Sequence, residues 1–188
     1  EWTWESFPEF LDALDEKPHA ADICALVPHA AVRVNVMGER AVAFEPATPE
    51  DIEKMRVITK EAVEAGAFGV STSRTTSHKT LAGEYTPTLR VYEDELLGLA
   101  NGLKDAGSGF MEAVSDWITE TGENVATADP DPVEAFGMLK RVAQQSGRPL
   151  VYTLAPRINQ ASVLSEILEM NRHAYEAEQV NIRPVFPP

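Results

Sequence analysis

A glycine recurs about every 40 residues, at Gly66, Gly107 and Gly147, and each copy shortly precedes an apolar segment. Glycine adopts the left-handed conformation with which many helices end. An amphipathic segment comes before each glycine, so one period consists of a helix, a glycine stop and a strand of the buried type. Repeated strand–helix units of this kind predict a parallel sheet covered by helices, the α/β class.

The same patterns predict the individual elements along the chain. Capping residues and apolar stripes place helices at about 6–16, 48–65, 92–106, 132–146 and 160–178, with caps at Ser6, Thr48, Asp131 and Asn159. Apolar runs predict a strand leading into a loop over 22–33 and strands over 67–70, 109–114, 149–154 and 181–186.

The absence of a glycine-rich phosphate loop helps to decide whether the predicted parallel sheet is an open, doubly wound sheet or part of a barrel. A doubly wound nucleotide-binding sheet would carry GxGxxG or GxxxxGK[ST], and neither string occurs. Regular units of about 40 residues favour part of a (β/α)₈ TIM barrel, of which five strands are predicted here. The chain starts at Glu1 without a methionine and ends on Pro187-Pro188. We therefore expect one α/β domain over residues 1–188 that is the middle part of a longer barrel.

Composition excludes several partners. Thirty acidic residues against 16 basic ones give a net charge of -14, which disfavours binding to nucleic acid and to anionic membranes. No apolar run approaches the roughly 20 residues that span a bilayer. The single cysteine, Cys24, allows no intrachain disulfide and indicates a reducing, cytoplasmic location. Its apolar neighbours predict a buried structural thiol.

Polar side chains collect where the predicted strands end. In a barrel the carboxyl ends of the strands form the site. The residues predicted to contact substrate are His29, Arg33, Ser71, Ser73, Arg74 and His78, and those predicted for acid–base chemistry are Glu112 and Asp116. Two alternatives stay open: the Ser/Thr-rich run is a solvated loop, or the arginines form structural ion pairs with nearby acids.

Motifs for metals and for serine nucleophiles are missing. The chain has no His-x-His, His-Glu-x-x-His or cysteine pair, and its four histidines are scattered. No metal ligand is therefore predicted within it. It also lacks Gly-x-Ser-x-Gly, and no base for Ser71 or Ser73 can be identified from the sequence.

Two long strings resemble a known family. They are WESFPEFLDALDEKPHAADICALVPHAAVRVNVMGERA and PATPEDIEKMRVITKEAVEAGAFGVSTSRTTSHKT. The segments FPEFLDAL, VPHAAVRVNVMG and EAGAFGVSTSR within them resemble the N-acyl-D-amino-acid deacylase (D-aminoacylase) branch of the amidohydrolase superfamily. The resemblance covers most of residues 1–90 and implies a (β/α)₈ metal-dependent hydrolase that cleaves C–N amide bonds of N-acyl-D-amino acids or related small amides, usually with zinc.

The resemblance also implies which parts of the machinery lie elsewhere. The family's first and last metal ligands, and hence the zinc site, would fall outside this chain, so the isolated chain is expected to be inactive. Two middle strands that carry histidines in the family read FMEAVSD and VYTLAP here. The alternative hypothesis is therefore a non-catalytic α/β module that binds a small anion or scaffolds an assembly. Uncovered sheet edges predict a homo-oligomer or association with the remainder of the barrel.

Overall fold

The computed structural model describes residues 3–117, 131–154 and 161–186. Its helices are α1 (Phe7–Asp15), α2 (His29–Met37), α3 (Glu39–Val42), α4 (Pro49–Glu64), α5 (Glu93–Ala106), α6 (Pro132–Ser146) and α7 (Ala161–Glu176). Its strands are β1 (Leu26–Pro28), β2 (Gly69–Arg74), β3 (Phe110–Ser115), β4 (Leu150–Thr153) and β5 (Ile182–Val185).

The five strands form one sheet in chain order. Each strand pairs in parallel with the next, β1-β2-β3-β4-β5. The helices α4, α5, α6 and α7 likewise pack each against its successor. A doubly wound sheet reverses its strand order at a switch point, and this sheet does not. Sequential parallel strands with sequential helices are the arrangement of a barrel wall. The predicted parallel α/β fold is confirmed.

The two faces of the sheet differ in burial. Val70, Met111 and Tyr152 are fully buried in the core that the sheet shares with the helices. Side chains alternate between faces along a strand. The intervening residues therefore lie on the opposite face, and they are only partly buried. We call this surface the open face; its residues include Ser71, Ser73, Glu112, Val114 and Thr153.

The first strand is shorter than the sequence indicated. Only Leu26–Pro28 pair with β2, and α2 begins at His29 without a loop. Cys24, two residues before β1, is exposed, so the prediction of a buried thiol is wrong. In β2 the polar run Ser71–Arg74 belongs to the strand itself rather than to a following loop.

Helix caps match the sequence closely. Ser6 and Glu9 form a reciprocal capping box on α1, and Thr48 and Asp51 form one on α4. On α6 the Asp131 side chain accepts from the backbone N–H three residues later. The predicted cap Asn159 lies outside the described residues.

Asp51 makes the stability of α4 depend on pH. Burial alone would raise the pKa of Asp51, but hydrogen bonds from the Thr48 backbone and hydroxyl and from Arg40 outweigh it and lower the pKa to about 2. The ionised form therefore stabilises the fold above about pH 4, and this contribution is lost as the pH falls towards 2. We expect Asp51→Asn to lower the free energy of unfolding by about 1–2 kcal/mol at pH 7 and by much less at pH 2.

Urea unfolding at both pH values measures this difference. Glu50→Gln is the matched control, because Glu50 lies exposed in the same helical turn. A loss for Asp51→Asn that does not change between pH 7 and pH 2 would contradict the assignment.

Candidate functional site

The open face brings three predicted site residues together. Ser71 on β2 is in register with Glu112 on β3, and Ser73 is in register with Val114. Because residues in register on neighbouring parallel strands are about 5 Å apart and point to the same side, Ser71 and Glu112 are direct neighbours. Glu112 is partly exposed and has no hydrogen-bonding partner within the described part of the chain. Its carboxylate is thus available to a ligand or a proton.

His78 joins this group from the loop after β2. Its Nδ1 atom lies 2.6 Å from the hydroxyl oxygen of Ser73, and its side chain is exposed. No base for either serine could be identified from the sequence, because the five-residue separation does not show whether the loop folds back on the strand. The structure therefore adds a serine–histidine pair at the carboxyl end of β2.

Asp116, just beyond β3, fastens the same loop to the sheet. Its carboxylate accepts hydrogen bonds of 2.8 Å from the Thr75 hydroxyl, the Thr76 hydroxyl and the Thr76 backbone N–H. Its own backbone N–H donates to the carbonyl of Arg74. A carboxylate that accepts this many hydrogen bonds is held in place. Asp116 is placed to position the loop that carries His78, and the geometry favours that role over proton transfer.

Removing this carboxylate should loosen the loop. We expect Asp116→Ala to lower the free energy of unfolding by about 2–3 kcal/mol, because hydrogen bonds to a charged acceptor are lost and a buried hydroxyl, that of Thr75, loses its acceptor. Chemical denaturation measures the loss. Asp12→Ala on the exposed side of α1 is the matched control. Equal stability of the two variants would contradict the positioning role.

His29 and Arg33 lie on the other side of the sheet, beneath the helices. Each is 1 % exposed, as is Glu95 of α5. The Glu95 carboxylate accepts from His29 Nε2 at 2.8 Å and from Arg33 Nη1, and His29 Nδ1 lies 2.8 Å from the Thr72 hydroxyl. Burial alone would raise the pKa of Glu95, but the hydrogen bond from His29 and the charge of Arg33 outweigh it and lower that pKa.

This buried network corrects the predicted role of His29 and Arg33. Both side chains join α2 to α5, and His29 also joins it to β2. Their burial separates them from a ligand on the open face. The prediction of substrate contact thus gives way to the alternative of a structural ion pair. Glu95 was missed because it follows Glu93 and Asp94, and acidic residues in a first helical turn are common whatever they contact.

Arg74 also points to the helix side. It is 5 % exposed, and among the described residues its side chain makes one hydrogen bond, a 3.7 Å contact from Nη1 to the sulfur of Met138 on α6. Its Nε atom has no hydrogen-bonding partner within the described ranges, and burial lowers the pKa of the guanidinium to about 10. Arg74 is on the strand face that Thr72 occupies, so the predicted contact with substrate on the open face is not the arrangement observed.

A surface hollow of about 390 Å³ lies elsewhere, between α1 and the segment before β1, and its lining includes Leu11, His19 and Ile23. None of the predicted site residues lines it. Within the described ranges, no three His, Cys, Asp or Glu side chains come together as a metal site would need. The helices in those ranges include none that is long and apolar enough to cross a membrane.

Comparison with known proteins places this geometry in context. Residues 1–182 match the Amidohydrolase family. A D-aminoacylase of Alcaligenes xylosoxydans xylosoxydans is 29% identical over 127 residues, which are 68% of this chain and 23% of that protein. An N-acyl-D-aspartate deacylase of the same organism is 34% identical over 112 residues, or 59% of this chain and 20% of that protein. The chain thus spans about a quarter or less of the length of these relatives.

Solved structures give the same architecture. A D-aminoacylase structure from work on its binuclear metal centre superposes with a TM-score of 0.72, at 21% identity, over 97% of this chain and 34% of that one. A D-aminoacylase mutant in complex with CuCl2 superposes with a TM-score of 0.71 at the same identity and coverage. These likenesses establish the fold, and the described βα units are part of an amidohydrolase TIM barrel.

Proposed function

We propose, on the premise that this chain belongs to the Amidohydrolase family, that the protein to which it contributes hydrolyses the amide bond of N-acyl-D-amino acids. The family match and the names of the two relatives support this substrate class. The observation that carries the proposal is the open face, where Ser71 and Ser73 of β2 lie beside Glu112 of β3 and His78 contacts Ser73 from the loop at the carboxyl end of β2. Binding sites of barrel enzymes form at that end.

The residues of the open face have roles that suit amide hydrolysis. The hydroxyls of Ser71 and Ser73 can donate to the substrate carbonyl or accept from its N–H. Glu112 supplies a carboxylate within reach of a ligand that binds over Ser71, and a carboxylate in that position can take up a proton from attacking water. Arg33 and Arg74 take no part in this proposal, because both are buried beneath the helices.

The family resemblance implies zinc, and the donor set must be tested against it. In the residues that the structure describes, the face offers one carboxylate and one imidazole, and no group of three ligating side chains occurs. This set does not fit a complete zinc site. We propose that any zinc ligands lie outside the described residues.

The test is turnover by the intact protein on matched N-acetyl-D- and N-acetyl-L-amino acids, with and without added zinc. We expect release of the free D-amino acid and little release of the L-form. No turnover of any N-acyl amino acid, in protein whose metal content has been measured and supplemented, would contradict the proposal. That result would favour the non-catalytic binding module.

A further inference from the structure

We propose that Arg74 binds a small monocarboxylate, of the size of formate or acetate, on the helix side of the sheet. The site is separate from the open face and does not depend on the proposed function. The observation behind it is a buried guanidinium with an unused edge. Arg74 is 5 % exposed, and its Nη1 atom contacts the sulfur of Met138, whereas its Nε atom makes no hydrogen bond to the described residues.

The buried Arg33 shows what a satisfied guanidinium contacts on the same side of the sheet. It donates to the carboxylate of Glu95 and to the backbone carbonyl of Glu45. Arg74 makes no contact of either kind within the described ranges. The Glu95 carboxylate already accepts from both His29 and Arg33, so that network does not supply an anion to Arg74.

Arg74 remains a cation despite its burial. Burial lowers the pKa of its guanidinium to about 10, so the side chain is still charged at pH 7. A buried charge without a partner destabilises a fold, because its lost hydration is not replaced. A bound anion at the guanidinium removes most of this cost, which gives the ligand a source of binding free energy.

The geometry of the unused edge favours a carboxylate. In a guanidinium, the Nε–H and one N–H of Nη2 point in the same direction and can donate in parallel to the two oxygens of one carboxylate. Nη1, which contacts Met138, lies on the other side of the group. A single cation balances one negative charge, so a monoanion fits the buried position better than a phosphate does.

The position of Arg74 limits the size and the role of the ligand. Arg74 is the last residue of β2, and the backbone N–H of Asp116 donates to its carbonyl, which holds the strand end in place. Its exposure of 5 % leaves space for a small anion, and it does not line the hollow beside α1. The side chain points away from Ser71 and Ser73, so the bound carboxylate does not meet a substrate on the open face.

The first test measures the Tm of the intact protein in sodium acetate and in sodium chloride at equal ionic strength. The chloride series accounts for general screening of surface charge. We expect acetate to raise the Tm of the wild type above its value in chloride, by roughly 2–4 °C for each tenfold increase in concentration above the Kd. In Arg74→Met the two salts should give the same Tm. A wild type with equal Tm in both salts, or an acetate effect that persists in Arg74→Met, would overturn the site.

The second test measures acetate binding to the intact protein by titration calorimetry. Arg74→Lys keeps the positive charge but lacks the two parallel donors, so we expect it to bind acetate at least about 10-fold more weakly than the wild type. Arg172→Met is the matched control, because Arg172 is exposed and paired with Glu169 and Glu176, and it should bind as the wild type does. Wild-type affinity in Arg74→Lys would overturn the bidentate contact. An equal loss in Arg172→Met and Arg74→Lys would overturn the assignment to Arg74.

Discussion

Gly69→Ala is expected to lower the free energy of unfolding by about 3 kcal/mol or more, because it separates β2 from β3 at the start of their pairing. Gly69 has φ +155, and a Cβ atom built there would lie 1.9 Å from the carbonyl oxygen of Phe110. Phe110 is also its partner in register. The colliding atoms belong to the backbone, so no rotamer change relieves the contact.

Gly147→Ala separates this collision from simple backbone strain. Gly147 ends α6 with φ +66, and nothing lies within 4 Å of a Cβ placed on it. We expect the free energy of unfolding to fall by only about 1 kcal/mol, which is the cost of the left-handed backbone conformation for a residue with a Cβ. Denaturant unfolding of both variants gives the comparison. A Gly69→Ala variant no less stable than Gly147→Ala would mean that β2 and β3 do not approach as described.

Two buried arginines should respond in opposite ways to the same substitution. Arg33→Met leaves Glu95 buried without its cation, so we expect the free energy of unfolding to fall by about 3–5 kcal/mol. Arg74→Met removes a buried charge whose one hydrogen bond to the described residues is with the Met138 sulfur. We expect its stability to be unchanged or higher by about 1–2 kcal/mol.

The pair serves as its own control, since the residue type, the replacement and the burial are matched. Unfolding in urea measures stability, and the kcat/KM of the intact enzyme reports on the open face. We expect Arg74→Met to keep most of its kcat/KM because Arg74 lies beneath α6. An Arg74→Met variant that is destabilised as much as Arg33→Met would reveal an ionic partner for Arg74.

The sequence was sufficient for the fold because its signals are local. The glycine period and the Ser6 and Thr48 caps each depend on a few adjacent residues, and the helices they predict are found where they were expected. The strand order then follows from chain order in a barrel.

The sequence did not show which polar residues of β2 lie on the open face and which lie on the helix side of the sheet. The predicted strand over 67–70 ended before the polar run, whereas the observed strand includes it. Since alternate residues of a strand point to opposite sides, Ser71 and Ser73 separate from Thr72 and Arg74 only once the strand boundaries are known. An error of a few residues at a strand end therefore hides which hydroxyls can meet a substrate.

His29 and Arg33 illustrate a second limit. In the predicted strand and loop, the two side chains had no reason to point the same way. In α2 they are four residues apart and therefore lie on one face of the helix. That spacing lets both reach Glu95, 62 or more residues further along the chain. The four-residue spacing of His29 and Arg33 was visible in the sequence, but their shared partner Glu95 was not.

The most direct test of the account is the kcat of the intact protein carrying Glu112→Gln, measured on an N-acetyl-D-amino acid that the wild type hydrolyses. Glu112 makes no hydrogen bond to the described residues, so this isosteric change should leave the free energy of unfolding unchanged. The account places catalysis on the open face and predicts a loss of kcat of roughly 10²-fold. A kcat within about 3-fold of the wild type, with stability unchanged, would contradict it.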